Sequence, residues 1–247
     1  MSPLGGHVCS ICGERVLTSF AACDDDGLRR CPACRRIDRP FARAVAYGSY
    51  EEGLRELIHL LKFNGVRPAA QILGRMLAEA IVVLDASFVQ DEIEVIPVPL
   101  YKSKRRQRGF NQAEMVADAA VRLYAGRAHL HLATGILQRT RETHSQIGLT
   151  SHQRRENLRG AFIVSDAAAI RGREVLLVDD VYTTGTTATE CARVLRRAGA
   201  SKVWVATVAR TLKLASKHVL NQADTDAAAA SEMSESQSFA IEKAVGL

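Results

Sequence analysis

EVLLVDDVYTTGTTA, running from Glu174 to Ala188, is the stretch from which the fold can be read. Val175 to Val178 form an apolar run long enough for a buried strand and too short for most helices. Two carboxylates follow, Asp179 and Asp180, and then Thr183, Thr184, Gly185, Thr186 and Thr187. Beyond them Cys191, Val194, Leu195 and Ala198 recur at helical spacing. The order is strand, polar loop, helix.

A loop that closes a strand and opens a helix directs several backbone N–H groups into one small space. The helix N-terminus adds partial positive charge there, so the loop suits a phosphate. Gly185 lets the backbone approach closely and take a positive φ, and the threonines add hydroxyl donors. The acid pair suits ribose hydroxyls or a magnesium-bound sugar instead, because ionised carboxylates only accept hydrogen bonds. A phosphate cup beside a diol acceptor describes a 5-phosphoribosyl group. The plainer alternative is an ordinary strand-turn-helix whose Asp and Thr residues serve the turn and the N-cap.

Val175–Thr187 resembles the signature with which type I phosphoribosyltransferases bind 5-phosphoribosyl 1-pyrophosphate (PRPP): apolar strand, two acids, two apolar positions, then T-T-G-x-T. One position departs from it, since Tyr182 stands where an aliphatic residue is usual.

Upstream, Ala42–Tyr50 reads as a strand, and Leu54, Leu57, Ile58 and Leu61 share one helical face that ends at Lys62-Phe63-Asn64-Gly65. Ala70–Leu84 reads as a second helix. Ile93–Leu100 is another buried-strand candidate, with Pro97 and Pro99 excluding a regular interior strand beyond Ile96. A basic loop follows, with Lys102, Lys104, Arg105, Arg106 and Arg108, and leads into a helix carrying Met115, Val116, Ala119, Ala120 and Leu123. Such a loop is either an anion site or a solvated charge run. Residues 137–162 are polar and basic, and read as a long loop that is either a lid or a plain connector, closed by a short edge element at Ala161–Val164. His144 and His152 within it receive no role. Gly199 ends the helix after the opening motif, and Val203–Ala209 forms a further strand. Two strand–helix–strand passages imply a parallel sheet with right-handed crossovers, and open α/β sheets bind ligands beyond their strand C-termini.

At the N-terminus, Cys9-x-x-Cys12 and Cys31-x-x-Cys34 are separated by 18 residues, the spacing of a closed four-thiolate zinc site. Four thiolates leave no open position for a substrate, so the expected zinc is structural. Cys23 reads as a spare thiol and His7 as an exposed terminal residue. The start of the chain lacks the basic stretch and apolar core of a signal peptide, and no apolar run approaches a membrane span. The cysteines are therefore expected in a reducing cytoplasm, without membrane insertion.

The 247 residues carry a formal charge of +6, unevenly placed: residues 213–247 hold −2 and the rest +8. A basic body fits a phosphorylated or polyanionic partner. The last 35 residues are low in complexity and weakly apolar, and read as a tail without a packed core.

Taken in order, the cysteine quartet, Lys62-Phe63-x-Gly65, Pro97-Val98-Pro99, Arg105-x-x-Arg108-Gly109-Phe110-Asn111-Gln112, Arg139-x-x-x-Thr143-x-x-Gln146, Arg155-x-Asn157, Gly160-Ala161-Phe162 and the acid-threonine loop resemble the competence protein F family over about residues 9–210. These are phosphoribosyltransferase-like proteins linked to bacterial DNA uptake. The resemblance implies an α/β fold: a type I phosphoribosyltransferase-like parallel sheet flanked by helices, with a zinc ribbon at residues 1–40, the sheet domain at 41–212 and the tail at 213–247. It implies that Asp179 and Asp180 hold the ribose hydroxyls of PRPP. Thr183, Thr184, Gly185, Thr186 and Thr187 would hold its 5′-phosphate, and Lys102, Arg105 and Arg108 its pyrophosphate together with Mg2+. Cys9, Cys12, Cys31 and Cys34 would hold Zn2+. Two readings stay open. One is a pentosyl-transferring enzyme that releases pyrophosphate. The other is a non-catalytic PRPP-sensing module that handles single-stranded DNA or a DNA-uptake protein. No base pocket is evident after Arg210, and the acceptor is not legible.

Overall fold

The computed structural model describes residues 8–16, 28–142 and 151–212. A short helix α1 (Pro32–Arg36) is followed by β1 (Arg43–Ser49), α2 (Glu52–Asn64), α3 (Ala69–Asp85) and β2 (Glu92–Pro97). Next come α4 (Lys102–Arg108), α5 (Gln112–Leu123), β3 (His129–Leu132) and β4 (Leu137–Arg139). The chain then forms α6 (Ser151–Leu158), β5 (Phe162–Val164), a 3-10 turn, β6 (Glu174–Tyr182), α7 (Thr186–Arg197) and β7 (Lys202–Arg210).

Five strands make one sheet in the order β1-β7-β6-β2-β3, and every pair is parallel. β6 is central, which explains its unbroken apolar run: Val175 to Val178 are covered on both faces and fully buried. Strand alternation divides them. Leu176 and Val178 pack with Leu73, Leu77 and Ile81 of α3 and Val116 and Ala120 of α5. Val175 and Leu177 pack with Cys191, Ala192 and Leu195 of α7. Leu73, Leu77, Ile81 and Leu84 are sealed from water, each worth about 1.5–3 kcal/mol of burial. The close approach of α3 to α5 needs Gly74, because a Cβ there would sit 2.4 Å from that of Ala119.

β4 and β5 form a separate antiparallel pair. The four ribbon cysteines belong to the same apolar cluster as α7, and Ala44 of β1 donates its N–H to Ile11 O at 2.7 Å.

Three sequence expectations change. The Lys102–Arg108 stretch is a helix, not a loop. Lys, Arg and Gln are good helix formers, and Arg105, Arg106 and Arg108 lie in its last turn, where the helix dipole favours cations. β6 does not stop before the acid pair but runs through it to Tyr182. The 137–162 segment is not one continuous loop, since β4 and α6 occupy both ends of it. β3 was not foreseen. His7, Cys23, His144 and the 213–247 tail lie outside the described residues, and His152 falls on α6.

Candidate ribose-phosphate site and metal centre

Asp179 and Asp180 occupy successive positions near the C-terminal end of β6 and have different surroundings. Asp180 is buried. It forms an ion pair with Lys62 of α2 and accepts from Gln112 Nε2 of α5 at 3.1 Å. Arg108 donates to the Oε1 of the same Gln112, so the last residue of α4 reaches the acid through one side chain. Gln112 is held at the start of α5 by the cap before it. The Asn111 side chain accepts from Ala113 N at 3.1 Å and donates to Val98 O at 3.1 Å.

Asp179 is half-buried, and its Oδ1 accepts from Asp180 N at 2.9 Å. Burial first, and then the neighbouring Asp180 charge, hold its carboxyl well above the ordinary carboxylate range. Burial also pushes Asp180 upward, but the Lys62 ammonium outweighs it, and Asp180 lies below the ordinary range. Lys62 is raised in turn, the Asp180 charge overcoming burial. The pair therefore divides into an ionised, neutralised acid and an acid that retains its proton more readily.

After Tyr182 the chain makes a tight turn. Gly185 is the N-cap of α7 at φ 74 and ψ 11, and Thr189 donates to its carbonyl at 2.8 Å. The N-cap is a glycine, so it brings no side-chain oxygen to the first N–H groups of this helix. The Thr184 and Thr186 hydroxyls lie 2.8 Å apart. Thr183 is exposed, Thr184 and Thr187 are half-buried, and Thr186 is buried. An open helix N-terminus with convergent hydroxyls and positive φ at its cap can hold a phosphate.

The basic residues separate. Arg108 joins the acid cluster, and its guanidinium lies 5.7 Å from the ring centre of Phe63. Arg105 pairs with Glu114 at 3.6 Å on an exposed face, and Lys102 is exposed. Lys62 and Gln112 stand in sequence motifs that assign them no role, yet both touch Asp180. The available signal was Lys62 in the last turn of an otherwise apolar face and Gln112 one residue past a capping Asn.

The sulfurs of Cys9, Cys12, Cys31 and Cys34 all lie within 4.8 Å of one another, and all four residues are buried. A zinc tetrahedron with bonds of about 2.3 Å has edges near ~3.8 Å. Cys12 Sγ and Cys31 Sγ are 3.7 Å apart. The donor set and the spacing fit Zn2+.

Among the described residues, no helix is long and apolar enough to cross a membrane.

The phosphoribosyl transferase domain family matches residues 111–230. The chain is 33% identical over 216 residues to the DNA utilization protein YhgH of Escherichia coli O157:H7, covering 84% of this chain and 92% of that protein. It is 32% identical over 213 residues to competence protein F of Haemophilus influenzae, covering 82% and 90%. Among solved structures, it is similar to the allosteric regulatory enzyme of purine biosynthesis at 22% identity and a TM-score of 0.35, over 57% of this chain and 26% of that one. With about a third of the aligned residues identical over nine-tenths of YhgH and of competence protein F, the chain belongs to the family of these two proteins.

Proposed function

We propose that this protein binds PRPP between the C-terminal end of β6 and the N-terminus of α7 and acts, in a reducing cytoplasm, in the uptake or use of DNA. One observation carries the reading: two carboxylates at a strand end sit directly before an uncapped helix N-terminus entered through a glycine at φ 74. The names of the relatives support the DNA context.

In this reading Thr183–Thr187 and the first N–H groups of α7 hold the 5′-phosphate. Asp179 and Asp180 take the ribose hydroxyls. Arg108 faces the pyrophosphate, with Lys102 and Arg105 nearer the solvent. Mg2+ would be held with the sugar beside Asp179 and Asp180, and would supply positive charge to the pyrophosphate leaving group. In a transfer, the bond from C1 to the pyrophosphate oxygen breaks and an acceptor lone pair closes on the oxocarbenium-like carbon. Arg108 then stabilises the leaving charge. Calorimetric titration with magnesium-PRPP tests binding, and pyrophosphate release with a pool of bases and oligonucleotides tests transfer. No heat of binding in magnesium would sink the reading.

A second, non-catalytic reading is favoured by the surface beside the site. Phe63 is 69% exposed under the Arg108 guanidinium, and Arg67 lies 5.8 Å from the ring centre of Phe110. Rings and guanidinium groups of this kind suit single-stranded nucleic acid. Oligonucleotide binding without pyrophosphate release distinguishes it.

A further inference from the structure

Tyr182, the one position that departs from the aliphatic pattern of the signature, lies where the metal centre meets the phosphate loop. It is 4% exposed, and its hydroxyl has no hydrogen-bond partner among the described residues. That hydroxyl fills the space beneath Gly185: a Cβ on the glycine would lie 2.1 Å from the Tyr182 oxygen and 2.4 Å from Cζ. The ring is held edge-on by Phe41 at 6.5 Å and covered by the Arg210 guanidinium at 4.6 Å.

Arg210 ends β7 opposite Tyr182 in the register and is itself buried. Its polar side-chain partners belong to the ribbon. It pairs with Glu14 at 2.9 Å, donates to the carbonyl oxygen of Cys12, and places Nη2 3.7 Å from Cys12 Sγ. A second tether runs in parallel, from Arg39 Nη1 to Thr189 Oγ1 at 3.0 Å in the first turn of α7.

We infer that Tyr182 and Arg210 are positioning residues that make the geometry of the phosphate loop depend on metal occupancy of the four-cysteine site. Four thiolates around a divalent cation carry net negative charge, and converging them fixes the Cys12 carbonyl and Glu14 in front of Arg210. Without the ion the sulfurs have no common centre. Arg210 is then deprived of the acceptors that hold its plane over Tyr182, and the ring is no longer pressed under Gly185. That glycine sets the left-handed turn into α7, so the loop loses its fixed shape. Linkage makes the effect reciprocal: an anion held by the loop slows metal loss.

The inference deepens the PRPP reading, on which only its ligand arm rests. The test uses the full-length protein, zinc-loaded and chelated, with amide hydrogen exchange as the readout. Exchange at residues 183–190 is expected to accelerate about tenfold or more on metal removal while α3 stays protected. In Tyr182→Leu the same segment exchanges fast in both states, so the metal dependence disappears. Tyr182→Phe keeps the ring and retains it. Magnesium-PRPP or inorganic phosphate slows zinc transfer to a chelator in the wild type but not in Tyr182→Leu. Unchanged exchange at 183–190 after zinc removal, or equal acceleration in α3, overturns the inference. The wild-type comparison decides this without either variant. Absence of PRPP binding by the zinc-loaded wild type counts against the ligand reading alone, and the exchange result still decides this one.

Discussion

The Lys62 ammonium and the Asp180 carboxylate form an ion pair between the last turn of α2 and the C-terminal end of β6, with side chains only 18% and 6% exposed. Breaking such a pair from one side leaves a buried charge without its partner. Lys62→Met is expected to lower stability by about 3 kcal/mol, and Lys62→Met with Asp180→Asn to recover much of that loss, since neither charge is then stranded. Denaturant midpoints at constant slope measure both.

The pH dependence of stability follows from the opposite displacements of the two acids. Asp180 is depressed below its ordinary 3.8, so its contribution is complete above that value and is lost as pH falls through its folded value. Asp179 is raised, so its contribution is complete below 3.8 and is lost as pH rises through its higher folded value. Asp179→Asn is therefore expected to flatten the decline of stability on the alkaline side of 3.8. Asp180→Asn should flatten the acid limb below it. Unfolding free energies measured from acid to neutral pH check the two signs independently.

One zinc per chain is expected, held by Cys9, Cys12, Cys31 and Cys34. Cys31→Ser should lower metal content and thermal stability together, because structural zinc supplies folding energy. Metal analysis of the purified protein showing no zinc would contradict this assignment.

Single-stranded nucleic acid should bind weakly, through α4 and Phe63, with an affinity that falls steeply with salt. Replacing Lys102, Lys104, Arg105 and Arg106 by Gln should reduce the salt slope by about 0.7 for each phosphate that is no longer neutralised. Phe63→Ala should cost about 1–3 kcal/mol without changing the slope, because stacking releases no counterions. Oligonucleotide anisotropy across a salt series separates the two effects. If both variants bind as the wild type does, the basic helix has no part in holding nucleic acid.

The features legible in the sequence were those with a local signature. Val175–Val178 stood out because a central parallel strand is apolar on both faces, and the cysteines because ligand spacing is set by tight turns. α4 escaped because a run of Lys and Arg has no apolar face to reveal a helical period, although each residue favours a helix. β3 escaped because it is only four residues long, at the lower limit at which the alternation of its histidines and leucines can be read as a strand. The partners of Asp180 could not be read at all. Lys62 is 118 residues away in the chain and Gln112 is 68 away, and only the sheet order brings α2, α5 and β6 together.

The turn that opens α7 allows the two halves of the candidate site to be tested against each other. Gly185→Val should nearly abolish binding of magnesium-PRPP. The new side chain meets the Tyr182 hydroxyl, and a β-branched residue strongly resists φ 74. Asp179→Asn and Asp180→Asn keep the shape of the site and remove charge, so each should weaken PRPP binding by about 1–3 kcal/mol, the scale of a hydrogen bond to a charged group. Of the two, Asp180→Asn should also lower stability, since it takes the counter-charge from Lys62. Free phosphate should bind both Asn variants almost as it binds the wild type, because the helix N-terminus and the threonine hydroxyls are untouched. Calorimetric titration of the wild type and the three variants, first with PRPP and then with phosphate, gives four pairs of affinities. A loss shared equally by both ligands in the Asn variants would mean that the acids shape the loop and do not hold the sugar.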